Sequence, residues 1–478
     1  NHRSVLLAET KNLISKKISE RLGVSMRLEA NRRALKDAVL VSSDGSWLNV
    51  NQFQAEFWRG ASSNNAWLSA SAPTASGKTY LVLQWLIDQV LSNKVNVVVY
   101  LAPTRALVTE IETSLNELVG QSDNIEISSL PLADLYQSAV LGDKKVVFVF
   151  TQERLHLLAN VLDDALEVEL LIVDEAHKIG DNQRGVIMQD AIERITRTNQ
   201  EVRAVFVSPA TQNPGELLAD APDGMARVEV DSDVPTVLQN VILAEQVPRK
   251  PKEWRLDLVR GEENFPLGIL KLPNSPGTFK KRLAFIAAAA GERGGTLVYC
   301  NGAAEAEDVA LLISQLASSE KLDDPELLDL ADLARKGVHR SYQLAPLVER
   351  GVAFHYGNMP ALIRMEVERL FKKGKLKFLA CTSTLIEAVN LSCRTIIVRG
   401  PRKGRGHPME PHDFWNLAGR AGRWGDEFQG NIICIEPSNT NAWPSGVPSR
   451  SRYPIKRETD EVMADAAGLE SYLTSRAT

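Results

Sequence analysis

The sequence predicts an α/β fold built on a parallel sheet, and two observations carry that prediction. Apolar, β-branched runs alternate with helical patterns: Val95 to Leu101, Val146 to Phe150, Val168 to Val173 and Ala204 to Val207. Continuous apolar strands separated by helices are what a sheet covered on both faces requires. The residues with chemistry to offer follow these strands rather than precede them, and open parallel sheets collect their sites at that carboxyl end. At 478 residues the chain is too long for one core and divides into two or three domains.

Composition narrows the class. Hydrophobic content of 44% and charged content of 24% are those of an ordinary globular chain. A net charge of −5 and a pI near 5.9 exclude a global field that draws the protein to nucleic acid or membrane, so any nucleic-acid site must be a local groove. Four widely spaced cysteines (Cys300, Cys381, Cys393, Cys434) lack metal-ligand spacing and fit reduced thiols in a cytoplasmic protein. No apolar run has the length of a membrane span and no signal-peptide pattern opens the chain. Residue 1 is Asn, which is consistent with a fragment of something longer.

Taken in order, residues 1–45 read as an N-terminal helical segment, with Leu6, Leu7, Leu13, Ile14 and Ile18 at helical spacing, and suit a docking or capping pair. Gln54 comes next, about two dozen residues before Lys78; its amide offers the donor and acceptor that match an adenine edge.

The run Ala66-Trp67-Leu68 then leads through Ala72-Pro73-Thr74-Ala75-Ser76-Gly77-Lys78-Thr79 into a helical pattern from Tyr80 to Leu91. A helix start presents unpaired N–H groups and partial positive charge to the loop before it, which suits a polyphosphate. Gly77 permits close approach, Lys78 reaches the terminal phosphates, and the Thr79 hydroxyl can ligate Mg²⁺. Ala72 stands where this pattern usually has its first glycine. About a hundred residues on, the strand Leu170-Leu171-Ile172-Val173 ends in Asp174-Glu175-Ala176-His177. One carboxylate, Asp174, can hold the Mg²⁺ that bridges the phosphates, and the other, Glu175, can orient and deprotonate water. His177 alone carries no catalytic assignment.

In this order, Gln54, Ala72 to Thr79, Pro103-Thr104-Arg105-Ala106-Leu107, Asp174 to His177 and Ser208-Pro209-Ala210-Thr211 resemble the first RecA-like domain of a superfamily 2 helicase. The second half extends the resemblance. Thr296 to Asn301, Val352 to Gly357, Thr382-Ser383-Thr384-Leu385 with Val389-Asn390-Leu391, and Asn416 to Arg423 resemble the motifs of the second RecA-like domain. The Thr-Ser-Thr-Leu and Val-Asn-Leu pieces point to the Ski-like branch. The resemblance covers about Trp47 to Glu436.

The resemblance implies ATP and Mg²⁺ as cofactors and a nucleic-acid-dependent ATPase, a 3′-to-5′ helicase or translocase. Arg420 and Arg423 become the arginine fingers and Asn416 a nucleotide contact. Single-stranded DNA or RNA would be held mainly by its phosphates, through Pro103, Thr104, Arg105, Thr151 and Gln152 on the first domain. On the second, the contacts fall to His355, Gly357, Thr382 and Ser383. His177, Ser208 and Thr211 would couple the two ligands. Departures from the family pattern are Pro209, Ala388 for a glycine, and Asn416 for a glutamine. The expected layout is domain one over 46–247, a linker over 248–278, domain two over 279–437, and a C-terminal extension over 438–478 that begins a missing accessory domain. Residues 320 to 350 read as a helical insertion, and Arg399 to Pro408 as a basic loop rather than a long strand-separating hairpin. DNA and RNA stay open, with DNA favoured. So does the alternative of a nucleotide-gated sensor or remodelling ATPase that controls a partner nuclease or accessory subunit.

Overall fold

The computed structural model describes residue 24 and residues 38–63, 66–73, 76–120, 122, 124–162, 165–233, 237–291, 295–316, 322–384, 391–403, 406–422 and 429–457. The chain folds into two units, Asn1–Val234 with Arg452–Thr478, and Pro235–Ser451.

The first unit opens with a short antiparallel hairpin, β1 (Ala38–Leu40) and β2 (Trp47–Asn49), so residues 38–40 are strand, not the helix expected there. The rest of the expected N-terminal helical segment lies outside the described residues, Val24 and the hairpin region apart. Helix α1 (Gln52–Ala61) starts at Asn51, whose side chain accepts from the Gln54 N–H while the Gln54 side chain accepts from the Asn51 N–H. That reciprocal cap satisfies two donors that a helix start leaves orphaned.

Then follow β3 (Ala66–Ser71), α2 (Lys78–Leu91), β4 (Val97–Leu101), α3 (Arg105–Val119), β5 (Ile125–Ser128), α4 (Ala133–Val140), β6 (Lys145–Phe150), α5 (Gln152–Val161), β7 (Leu170–Val173), α6 (Asn182–Thr198), β8 (Arg203–Ser208) and β9 (Ala226–Asp231). The sheet order is β5-β6-β4-β7-β8-β3-β9, and every pairing is parallel. Alternation along β4 shows why the apolar runs are unbroken. Val98 and Tyr100 pack with Phe57, Leu81 and Trp85, whereas Val97, Val99 and Leu101 pack with Leu155, Ile192 and Ile195 on the other face. Both faces are dry, so a period-2 pattern has no polar half.

The second unit holds β10 (Leu238–Gln246), β11 (Glu253–Arg260), β12 (Glu263–Lys271), α7 (Phe279–Ala290), β13 (Thr296–Tyr299), α8 (Ala303–Leu316), α9 (Pro325–Gly337), α10 (Leu344–Val348), β14 (Val352–His355), α11 (Ala361–Lys372), β15 (Phe378–Cys381), β16 (Thr395–Val398), β17 (Arg402–Lys403), β18 (His407–Pro408), α12 (Pro411–Ala418) and β19 (Gln429–Ile435). Its large sheet runs β12-β11-β10-β19-β16-β13-β15-β14, parallel except at β10–β11 and β11–β12. These are two RecA-like parallel-sheet units.

Three further expectations are corrected. The stretch 248–278 is not an irregular linker: it carries β11 and β12, an antiparallel hairpin that extends the sheet of the second unit through β10. Its prolines misled. Pro266 lies on the outermost strand, the sheet position that tolerates a missing N–H, and Trp254 plugs the hairpin into the core. The helices over 325–337 and 344–348 bury Leu327, Leu330 and Leu347 in that core rather than standing apart as an insertion. The extension after 437 does not form a separate body in its described part, because residues 452–457 return to the first unit. The basic loop is a minimal hairpin in which Arg402 and Lys403 pair with Pro408 and His407.

Candidate functional site: the phosphate loop and its neighbours

The sequence between β3 and α2 makes a tight turn because Gly77 adopts φ 75, a left-handed conformation that L side chains resist. A Cβ there would also stand 3.0 Å from the Gln54 amide nitrogen. The turn delivers Lys78 and Thr79 at the first positions of α2. Lys78 Nζ donates to the carbonyls of Ala72 at 2.5 Å and Pro73 at 3.0 Å, so the ammonium curls over its own loop. Desolvation pulls its pKa down to about 8, opposed by the charges of Glu175 and Asp174. An ammonium so poised is stabilised by any anion that enters. Thr74 and Ala75 lie outside the described residues.

Gln54 is buried, and its Nε2 donates to the Ser76 carbonyl at 3.4 Å while its oxygen serves the α1 cap. The amide therefore braces the phosphate loop, a role the sequence spacing did not suggest.

The two carboxylates at the end of β7 differ in environment. Asp174 is buried; its Oδ2 accepts from the Tyr100 hydroxyl at 2.8 Å and its Oδ1 from the Glu175 N–H at 2.9 Å. Burial, then the charge of Glu175, pushes Asp174 up to about 6. Glu175 sits in left-handed backbone (φ 51, ψ 40), and its carboxylate, 39% exposed, lies 3.4 Å from His177 Nδ1. Backbone strain of this kind costs about 1–3 kcal/mol and clusters where geometry is functional. The pair separates into one dry carboxylate and one that water can reach, as acid–base division of labour requires. A buried carboxylate with a raised proton affinity, the Thr79 hydroxyl and incoming phosphate oxygens form a hard-oxygen set that fits Mg²⁺. Tyr100 is the residue that sequence reading missed. It precedes Leu101 within an apolar run, and only the register Tyr100 to Ile172 reveals the strand alongside Asp174.

Ser208 and Thr211 join this site through β3. The Thr211 N–H and hydroxyl donate to Ser71 Oγ at 2.9 and 3.0 Å, Ser71 Oγ donates to the Pro209 carbonyl at 3.2 Å, and the Ala72 N–H donates to the Ser208 carbonyl at 3.3 Å. The loop after β8 is thus stitched to the residue from which the phosphate loop departs. Pro209 lacks an N–H, yet its carbonyl is used.

The expected nucleic-acid residues sort by accessibility. Arg105 is exposed, and Thr104 caps α3 by accepting from the Leu107 N–H. Pro103, Thr151 and Gln152 are buried, so direct side-chain contact by these three does not follow from the geometry. In the second unit His355 is also turned inward, 1% exposed, with Nε2 2.8 Å from Glu368. Burial makes it a support for the strand end rather than a surface contact. Gly357 accepts from Arg364 at 3.0 Å through its carbonyl. Thr382 and Ser383 line a cavity of about 360 Å³ together with Tyr299, Asn301 and Arg402, and Arg402 is a cation that the sequence reading had placed only in a basic loop. Asn416 is half-buried on α12; Arg420 follows that helix, its carbonyl accepting from the Cys393 N–H at 2.9 Å. Arg423 lies outside the described residues, as do Leu385, Val389 and Asn390. All four cysteines are buried.

Comparison with known proteins bears on this geometry directly. Residues 51–217 match the DEAD/DEAH box helicase family and residues 335–425 the helicase conserved C-terminal domain. The chain belongs to the superfamily 2 helicases. Among its relatives, the chain is 28% identical over 377 residues to the ATP-dependent DNA helicase Hel308 of Aeropyrum pernix, covering 77% of this chain and 48% of that protein. It is 24% identical over 403 residues to Hachiman protein HamB of Bacillus cereus, covering 78% and 35%. It is 26% identical over 377 residues to Anti-bacteriophage protein B of Escherichia coli, covering 77% and 44%. The chain spans between about a third and a half of the length of these relatives. Among the described residues, no helix is long and apolar enough to cross a membrane.

Proposed function

We propose that this chain is the motor of an ATP-dependent helicase or translocase, acting on single-stranded nucleic acid and favouring DNA, with 3′-to-5′ polarity. The observation that carries the reading is the unequal carboxylate pair. A dry Asp174 lies beside the phosphate loop, and a water-accessible Glu175 lies next to it. Lys78 and the α2 N-terminus would hold the terminal phosphates, Thr79 and Asp174 would hold Mg²⁺, and Glu175 would orient and deprotonate the attacking water. When bound, Mg²⁺ supplies neutralisation of charge on the phosphates. Arg420 and Arg423 stabilise charge developing on the γ-phosphate. Thr104, Arg105, Thr382, Ser383 and Arg402 grip phosphates, which favours sequence-independent binding. Placement in the Ski-like branch is part of this proposal, supported by the Thr382-Ser383-Thr384-Leu385 and Val389-Asn390-Leu391 motifs.

A second reading is favoured by the relative Anti-bacteriophage protein B of Escherichia coli. In it the ATPase serves phage defence as a nucleotide-gated sensor or remodeller and controls a partner protein.

The deciding experiment measures ATP hydrolysis with single-stranded DNA, duplex DNA and RNA, beside Lys78→Ala and Glu175→Gln. Unwinding of a 3′-tailed duplex and displacement of a bound protein are assayed in parallel. The motor reading expects strong stimulation by single strands and loss of turnover in both variants. Tight nucleic-acid binding with negligible turnover supports the sensor instead, and Glu175→Gln with intact hydrolysis overturns the assignment of the base.

A further inference from the structure

Residues 450–457 are one part of the chain that the motor reading leaves unused. Arg450 lies over the Trp415 ring, 4.6 Å from its centroid, and Trp415 Nε1 donates to the Ser449 carbonyl at 2.9 Å. Trp415 belongs to α12, the helix that leads into Arg420. Only Ser451 and Arg452 then intervene before Tyr453, which belongs to the first unit.

Tyr453 pairs with the Ser208–Thr211 loop as a strand would. Its N–H donates to the Ala210 carbonyl at 3.0 Å, and its carbonyl accepts from the Gln212 N–H at 2.8 Å. Its ring meets His177 edge-on, 5.7 Å between centroids. The segment is fixed on either side of this point. Arg452 bridges Asp231 and Asp233, and donates to the Thr211 carbonyl at 3.3 Å. Beyond it, Ile455 is buried in the core and exchanges hydrogen bonds with Asn213 at 2.7 and 2.8 Å. Arg457, 4% exposed, donates to Asp220 at 2.8 Å and to the Glu216 carbonyl at 2.6 Å. At Gly180, the end of the short 3₁₀ turn that carries His177, a Cβ would stand 2.4 Å from the Lys456 carbonyl. The strap thus lies against backbone, with no room for a side chain between.

We propose that residues 452–457 form a coupling strap in which Tyr453 is a positioning residue: it holds the Ser208–Thr211 loop and His177 in register. This rests on the nucleic-acid-stimulated ATPase reading. The loop it holds is hydrogen-bonded through Ser71 to the root of the phosphate loop, so a displaced strap alters how nucleic acid sets the hydrolysis rate without removing any group that touches ATP.

The test compares ATP hydrolysis with and without single-stranded DNA in wild type, Tyr453→Phe, Tyr453→Ala and Gly180→Ala, with thermal melts of each. Tyr453→Phe keeps the ring and retains the wild-type stimulation. Tyr453→Ala lowers the stimulation ratio about tenfold, within the span that coupling free energies give, while the KM for ATP stays within about twofold. Gly180→Ala pushes the strap off from beneath and produces the same loss with the strap sequence intact, which keeps the inference testable if Tyr453→Ala unfolds. A stimulated wild type with equally stimulated Tyr453→Ala and Gly180→Ala overturns the strap alone, as does a rise in ATP KM that accounts for the whole loss. A wild type that nucleic acid does not stimulate overturns the motor reading and the strap with it.

Discussion

Tyr100→Phe isolates the part of the site that is hardest to see from sequence. The substitution keeps the buried ring and deletes one hydroxyl, which donates to Asp174 Oδ2 at 2.8 Å. A hydrogen bond to a charged group is worth about 1.5–3 kcal/mol, or roughly one to two powers of ten in the proton affinity of the carboxylate. Asp174 starts at about 6, raised by burial and by Glu175, and the Tyr100 hydroxyl is among the few influences holding it down. Without that hydroxyl the ionised fraction at pH 7 falls from about nine-tenths to between a half and a tenth. Proton and Mg²⁺ compete for the same oxygens. ATPase activity at subsaturating Mg²⁺ therefore drops about two- to tenfold at pH 7 and recovers near pH 9 or at saturating Mg²⁺. The assay is a Mg²⁺ titration of hydrolysis at several pH values, with nucleotide binding measured alongside. Superimposable Mg²⁺ and pH curves for wild type and variant would refute the claim that Tyr100 tunes this carboxylate.

The remaining predictions concern separate links. Glu175→Gln binds ATP and nucleic acid as before but hydrolyses about 10²–10⁴ times more slowly, the usual range for losing a general base; single-turnover measurements check it. Lys78→Ala loses nucleotide affinity itself, visible as loss of fluorescent-ATP binding. Glu326 is held down at about 2 by Lys375, Arg369 and Lys373, so its contribution to stability is complete above its ordinary value of 4.5 and disappears as the pH falls toward 2. Urea melts of Glu326→Gln should show a small deficit at pH 7 that closes by about pH 2, and a deficit that persists there contradicts the assignment. Trp254→Ala vacates a fully buried position and costs about 3–5 kcal/mol. Hydrogen exchange should locate that loss in β10, β11 and β12 and leave the first unit unchanged.

How much of this was legible depended on how local each signal is. The strands of the first sheet could be read because unbroken Val, Ile, Leu and Phe runs arise from burial on both faces, as along β4 and β6. Lys78, Asp174 and Glu175 could be placed because their signals are local: Lys78 opens α2 just after Gly77, and the two carboxylates directly follow β7. Tyr100 and Tyr453 could not. One acts across a strand pair and the other across some 240 residues of chain, the separation of the Asn213 and Ile455 partners being 242. The β11–β12 hairpin was obscured by Pro248, Pro251 and Pro266, which in sequence mark a loop and in the structure fall at the turn and the outer edge. The family resemblance points to His355 and Gln152 as nucleic-acid contacts, but burial, which no single stretch announces, turns both side chains inward.

That the first unit takes in residues 452–457, beyond the whole second unit, has a consequence for biosynthesis. Domains ordinarily fold in the order they leave the ribosome, at about 5–20 residues per second. Here the slot filled by Ile455 stays open while the roughly 200 residues of the second unit are made, a wait on the order of 10–40 seconds. During that interval the nascent first unit presents an apolar cleft to water and to chaperones, and it reaches its final form only after the second unit has emerged.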